Sequence, residues 1–167
     1  MYVIQDYYKS NFVRTICHNV KDAYGTPTYK DAVNVIADYL VSFGVADGAS
    51  VLVPAPQHDG KAEYTKEICA IVASRTGAKV ADIVGCMPHR PFYDLKKENA
   101  DIDPVFFLKG EIPPCSKAFF VDNVIGTGKT FLFVEALVKH PLEPLVYAVD
   151  YAQLCDEMRK RLLPNPL

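Results

Sequence analysis

Between Asp122 and Thr130 the chain reads D-N-V-I-G-T-G-K-T, so one acid, two glycines and two hydroxyls fall within a single turn. Gly126 and Gly128 allow positive φ and let a ligand approach the main chain closely. Successive amides in such a turn, at the start of a helix, form a nest for an anion. Thr127 and Thr130 add hydroxyl donors for phosphate oxygens. Asp122 ends an apolar strand, Ala118 to Asp122, and there it can accept hydrogen bonds from sugar hydroxyls. The spacing predicts a cradle for a ribose 5-phosphate, with the phosphate in the nest and the sugar against Asp122 and Asn123.

Two other readings compete. G-T-G-K-T suggests an ATP-binding P-loop, but that motif needs a glycine five places before Gly128, where this chain has Asn123. Only 37 residues follow Thr130 (167 minus 130), without a strong second acidic strand for magnesium. The other reading is purely structural: a tight strand-to-helix connection that happens to be rich in Gly and Thr.

The elements that must position this turn follow from the hydrophobic pattern. Residues 2–18 are rich in Tyr, Val and Ile and alternate loosely, which predicts a strand or hairpin. Val33, Ile36, Leu40 and Phe43 recur at helical spacing after Thr28, the expected N-cap, with Asp31 near the exposed amides. S-V-L-V-P-A-P from residue 50 reads as a buried parallel strand, followed by a polar loop, Gln57 to Lys61. Tyr64, Ile68, Ile71 and Val72 then mark a helix ending at Gly77. Residues 79–85 predict a second strand, and the polar stretch 86–104 has no period of its own. Further helices are expected from Lys129 to His140 and from Gln153 to Leu162, with Arg159, Lys160 and Arg161 favourable in the last turn. L-V-Y-A-V-D-Y at 145–151 is the fourth strand.

Alternating strands and helices predict an α/β fold, an open and mainly parallel sheet with helices on both faces. Ligands of such sheets sit beyond the carboxyl ends of the strands, near a switch in strand order. The loops at 57–61 and 122–130 both lie at such ends. A length of 167 residues suits one domain. We expect a core over 28–163, with residues 1–27 left over as a small hood.

Composition narrows the class. Half the residues are hydrophobic and the net charge is -2, so no basic footprint favours nucleic acid. No apolar run approaches the ~18 residues of a membrane span. The first residues lack the layout of a signal peptide, and a cytoplasmic location is expected. The five cysteines stand singly, without a C-x-x-C pair, as reduced thiols do.

An apolar strand, the acidic-pair positions Asp122 and Asn123, two residues, a small residue, Thr, Gly, any residue and Thr resembles the phosphoribosyl-diphosphate signature of type I phosphoribosyltransferases. The resemblance covers Phe119 to Thr130 as motif and roughly 50–151 as topology. It is nearest to the short, competence-associated members, without their cysteine-rich zinc ribbon. One position departs: Asn123 stands where the family usually has a second acid.

The resemblance implies a phosphoribosyltransferase fold with a hood from the N-terminal region. By it, Asp122 and Asn123 face the ribose 2- and 3-hydroxyls, while Gly126, Thr127, Gly128, Lys129 and Thr130 wrap the 5-phosphate. His58, Asp59, Gly60 and Lys61, with Gln57, become the diphosphate loop. It further implies Mg²⁺ on the diphosphate, with Asp122 as its protein ligand, and a homodimer. The implied activity is transfer of ribose 5-phosphate to a nitrogenous base, and the competing expectation is a non-catalytic sensor that binds phosphoribosyl diphosphate or a nucleotide. Arg90, Lys96 and Lys97 are expected to close over the substrate; the alternative is a polar loop with solvated charges. His58 and Lys61 have the same alternative. Tyr147, Asp150 and Tyr151 end the fourth strand and either line the base pocket or pack.

Overall fold

A computed structural model describes residues 5–57, 59–60, 63–88 and 105–162. In chain order the elements are β1 (Gln5–Asp6), α1 (Asn11–Asp22), α2 (Pro27–Ser42), β2 (Ser50–Pro54), α3 (Glu63–Thr76), β3 (Lys79–Val80), β4 (Val84–Cys86) and β5 (Phe106–Leu108). β6 (Lys117–Ile125), α4 (Lys129–Val138), β7 (Glu143–Val149) and α5 (Asp156–Leu162) complete it.

Five strands form one parallel sheet in the order β1-β7-β6-β2-β3. Alternation along the strands feeds two cores. Leu52, Phe119, Val121, Leu145 and Tyr147 pack with α1, α2 and α3. Val51, Val53, Phe120 and Val146 pack with Phe131 and Val134 of α4 and Met158 of α5. The sheet is therefore covered on both faces, which is why β2 is buried along its whole length. The fold is α/β, as expected.

Several local expectations are corrected. The segment before residue 18 is mostly helix. Val13, Ile16, Cys17 and Val20 recur at helical spacing and are buried, and Ser10 Oγ caps α1 by accepting from the Val13 amide at 3.4 Å. Tertiary burial of that stripe overrides the β-propensity of the tyrosines and valines. The N-cap of α2 is Thr26, which accepts from the Tyr29 amide at 3.2 Å, and Pro27 supplies the first helical residue. Residues 79–85 hold two short strands. β3 joins the parallel sheet, whereas β4 pairs antiparallel with β5 in a separate ribbon. α5 starts at Asp156, three residues later than expected, because the Gln153 amide closes a turn on the Asp150 carbonyl.

The arrangement puts a switch point beside the motif. From β2 the chain crosses through α3 to β3 on one side, and from β6 it crosses through α4 to β7 on the other. β2 and β6 are neighbours, with Pro54 in register with Val121. Their carboxyl ends diverge into a crevice. Among the described residues no helix is long and apolar enough to cross a membrane.

Candidate functional site

β6 runs straight through Asp122 and Asn123 to Ile125, so the turn into α4 is only Gly126, Thr127 and Gly128. Gly128 carries the conformational demand. Its φ is +84°, and a Cβ there would come within 2.2 Å of Met158 Cγ. Gly126 has no positive φ and open space where a Cβ would go, so of the two glycines only Gly128 uses the conformational freedom that both allow. No side chain caps Gly128. The Thr127 hydroxyl accepts from the Lys129 amide at 3.3 Å, and the Thr127 carbonyl accepts from Cys155 at 3.0 Å, which ties the turn to the start of α5.

Two cavities meet at this turn. A small one of about 70 Å³ is bordered by Gly126, Thr127, Gly128, Lys129 and Thr130. It opens beside a cleft of about 650 Å³ that lies over the sheet ends. Asp122, Gly126, Thr127 and Thr130 line both. A third cavity, about 540 Å³, shares Lys21, Gln57 and Tyr64 with the cleft and continues towards Asp59.

Asp122 is part-exposed at the floor of the cleft, with protein packed deeply around it. Burial pushes its carboxyl up to about 6; the Lys21 charge and the Asn123 amide, which donates to Oδ1 at 2.8 Å, oppose that rise. The carboxylate is therefore desolvated and poised to gain from a cation or from hydroxyl donors.

Asn123 is placed differently from the expectation that it faces the sugar. It is 1 % exposed. Its Nδ2 donates to the Cys17 carbonyl at 3.2 Å, and its Oδ1 accepts from the Val124 amide at 2.8 Å with the Tyr64 hydroxyl oxygen 3.5 Å away. Both ends of the amide are engaged inside the protein. The Tyr64 hydroxyl donates its one proton to Gln57 Oε1 at 2.6 Å, which fastens the start of the 57–60 loop beside Asn123.

In that loop Gly60 takes a φ of +78°, and a Cβ on it would meet the Cys86 carbonyl at 2.7 Å, so the loop is seated against β4. Asp59 lines the third cavity. His58, Lys61, Arg90, Lys96 and Lys97 lie outside the described residues. Several cleft residues were not singled out individually: Tyr7, Tyr8, His18 and Lys21 come from the stretch expected as a hood, and Phe106 from β5. No local motif marks them; the N-terminal segment folded onto the sheet brings the first four there, and the β4–β5 ribbon brings Phe106.

The described groups also bear on other chemistries. All five cysteines are free, and burial pushes the Cys17 thiol up to about 12 and Cys86 up to about 11. Neither is a thiolate nucleophile at neutral pH. Among the described residues no group of three or more His, Cys, Asp or Glu could by itself hold a metal. Asp122 nevertheless suits Mg²⁺, which takes one or two carboxylates and completes its shell with phosphate oxygens and water. Comparison of the chain with protein-family models gives no match, and comparison with curated proteins gives none.

Proposed function

We propose that the protein binds 5-phosphoribosyl diphosphate in a type I phosphoribosyltransferase-like site and transfers its ribose 5-phosphate to a nitrogenous acceptor. One observation carries this reading: Asp122, Gly126, Thr127 and Thr130 border both the small cavity and the larger cleft at the switch point. An anion pocket that opens beside a carboxylate suits a phosphate joined to a polyhydroxyl ring.

In this reading the 5-phosphate takes the amides of the turn and the hydroxyls of Thr127 and Thr130. Asp122 accepts from the ribose hydroxyls and is the residue that would hold Mg²⁺. When bound, that ion neutralises negative charge on the diphosphate. The diphosphate extends past Gln57 towards the 57–60 loop, with Lys21 at the junction of the two larger cavities. In the transfer, the C1–oxygen bond breaks and its electron pair leaves with the diphosphate. The acceptor nitrogen supplies the pair for the new C1–N bond and releases its proton to water. The protein contributes orientation and charge stabilisation, and no protein nucleophile is needed.

The three-residue turn argues against a P-loop, whose glycine-rich loop begins at the position held here by Asn123 inside a strand. A second reading, a phosphoribosyl-diphosphate sensor without turnover, is favoured by the engaged Asn123 amide, because only one carboxylate is left at the sugar. Incubation with phosphoribosyl diphosphate, Mg²⁺ and a panel of bases separates the two. Diphosphate release supports the transferase, and saturable binding without release across the panel supports the sensor.

A further inference from the structure

The end of α1 is pinned beside the cleft. The Cys17 carbonyl accepts from Asn123 Nδ2 at 3.2 Å, and the Cys17 side chain is buried in the core with Val20. Lys21 lies four residues on, in the last turn of the same helix, so it shares the Cys17 face one turn further along. That turn is fixed against β6 at the residue next to Asp122. The Lys21 charge reaches Asp122, where it opposes the effect of burial, and it reaches the Cys17 thiol as well. Lys21 itself is exposed and open to a ligand.

Its place among the cavities is specific. Among the described residues, Lys21, Gln57 and Tyr64 line both the cleft of about 650 Å³ and the cavity of about 540 Å³. Asp122 instead lines the cleft and the small cavity at the Gly126–Thr130 turn. Along this path come the turn, then Asp122, then Lys21, then the 57–60 loop. Gln57 is held at the same junction by the Tyr64 hydroxyl at 2.6 Å. A ligand anchored in the turn meets Asp122 first, and only one with a second anionic group beyond its sugar reaches Lys21. Asp59 and Glu63 line only the third cavity, so the Lys21 ammonium marks the boundary between the cleft and those acids. A compact ammonium with three donors suits the several oxygens of a diphosphate.

We infer that Lys21 binds the second anionic group of the ligand, the diphosphate of 5-phosphoribosyl diphosphate, and so distinguishes that ligand from ribose 5-phosphate. This rests on the phosphoribosyl reading for the ligand's name, but the pairing of Lys21 with a diphosphate does not need the sugar. The N-terminal segment is then part of the diphosphate site, and Asn123 serves that site from inside the protein through its bond to Cys17.

The test is calorimetric titration of the intact protein, with Mg²⁺ present, by 5-phosphoribosyl diphosphate, ribose 5-phosphate and inorganic diphosphate. Wild type is compared with Lys21→Met and Lys21→Arg. The position is exposed, so both variants keep the fold, which circular dichroism checks. Lys21→Met is expected to weaken 5-phosphoribosyl diphosphate and inorganic diphosphate by about tenfold or more, and ribose 5-phosphate by less than about twofold. Lys21→Arg, which keeps the charge, is expected to restore most of the loss. An equal loss for ribose 5-phosphate would overturn the inference, and so would failure of the wild-type protein to bind both diphosphate ligands. Binding of inorganic diphosphate that needs Lys21, with no binding of either sugar phosphate, would refute the phosphoribosyl reading alone. Binding of 5-phosphoribosyl diphosphate that is unchanged in Lys21→Met would refute the Lys21 assignment alone.

Discussion

The Asn123 side chain donates from Nδ2 to the Cys17 main-chain carbonyl at 3.2 Å, across 106 positions of sequence. That bond ties α1 to the motif strand, and the Tyr64 hydroxyl of α3 packs 3.5 Å from Oδ1. An aspartate at 123 would present an acceptor to an acceptor, buried and next to Asp122. Asn123→Asp should therefore destabilise the protein by about 2–4 kcal/mol at neutral pH, read from urea unfolding. The loss should shrink at acid pH, where the protonated acid can donate. Unchanged stability would show that the pin is not a structural one.

The two glycines of the turn should respond differently. Gly128→Ala forces a left-handed alanine against Met158 and should cost about 2–4 kcal/mol of unfolding free energy. Gly126→Ala meets open space at an ordinary φ and should stay within about 0.5 kcal/mol of wild type. Thermal unfolding of the pair checks this, and equal losses would contradict the geometry.

Ionisation of Asp122 works against stability. Its folded pKa, about 6, lies above the ordinary 3.8, so its favourable contribution is complete below pH 3.8 and is lost as pH rises through about 6. Asp122→Asn should match wild type near about pH 4 and exceed it by about 1–3 kcal/mol at about pH 8, the range allowing for solvent reaching the carboxyl from the cleft. Unfolding curves at the two pH values decide it. A variant less stable than wild type at the higher pH would place Asp122 among the stabilising groups.

Much of the framework was legible because its signals are local. The β6–turn–α4 unit is contiguous, and the apolar runs at 50–54 and 145–149 can only be buried strands in a chain of this length. α1 was hidden because Tyr7, Tyr8 and Val13 have strand-like preferences, while its helical stripe gains meaning only once α2 is there to cover it. The roles of Asn123 and Lys21 were less visible for a related reason. Asn123 is defined by Cys17 and Tyr64, and Lys21 by Asp122 and Gln57, all distant in sequence and adjacent only through the packing of α1 and α3 on the sheet. Gly126 and Gly128 look alike in sequence, and only the packing of α5 beneath the turn separates them.

The most direct test of the ribose-phosphate cradle is calorimetric titration of the protein with 5-phosphoribosyl diphosphate, with and without Mg²⁺. Saturable binding at one site is expected, strengthened by Mg²⁺ and weakened by about tenfold or more in Asp122→Ala and in Thr127→Val. Absence of binding, or affinity left unchanged by both substitutions, would contradict the account.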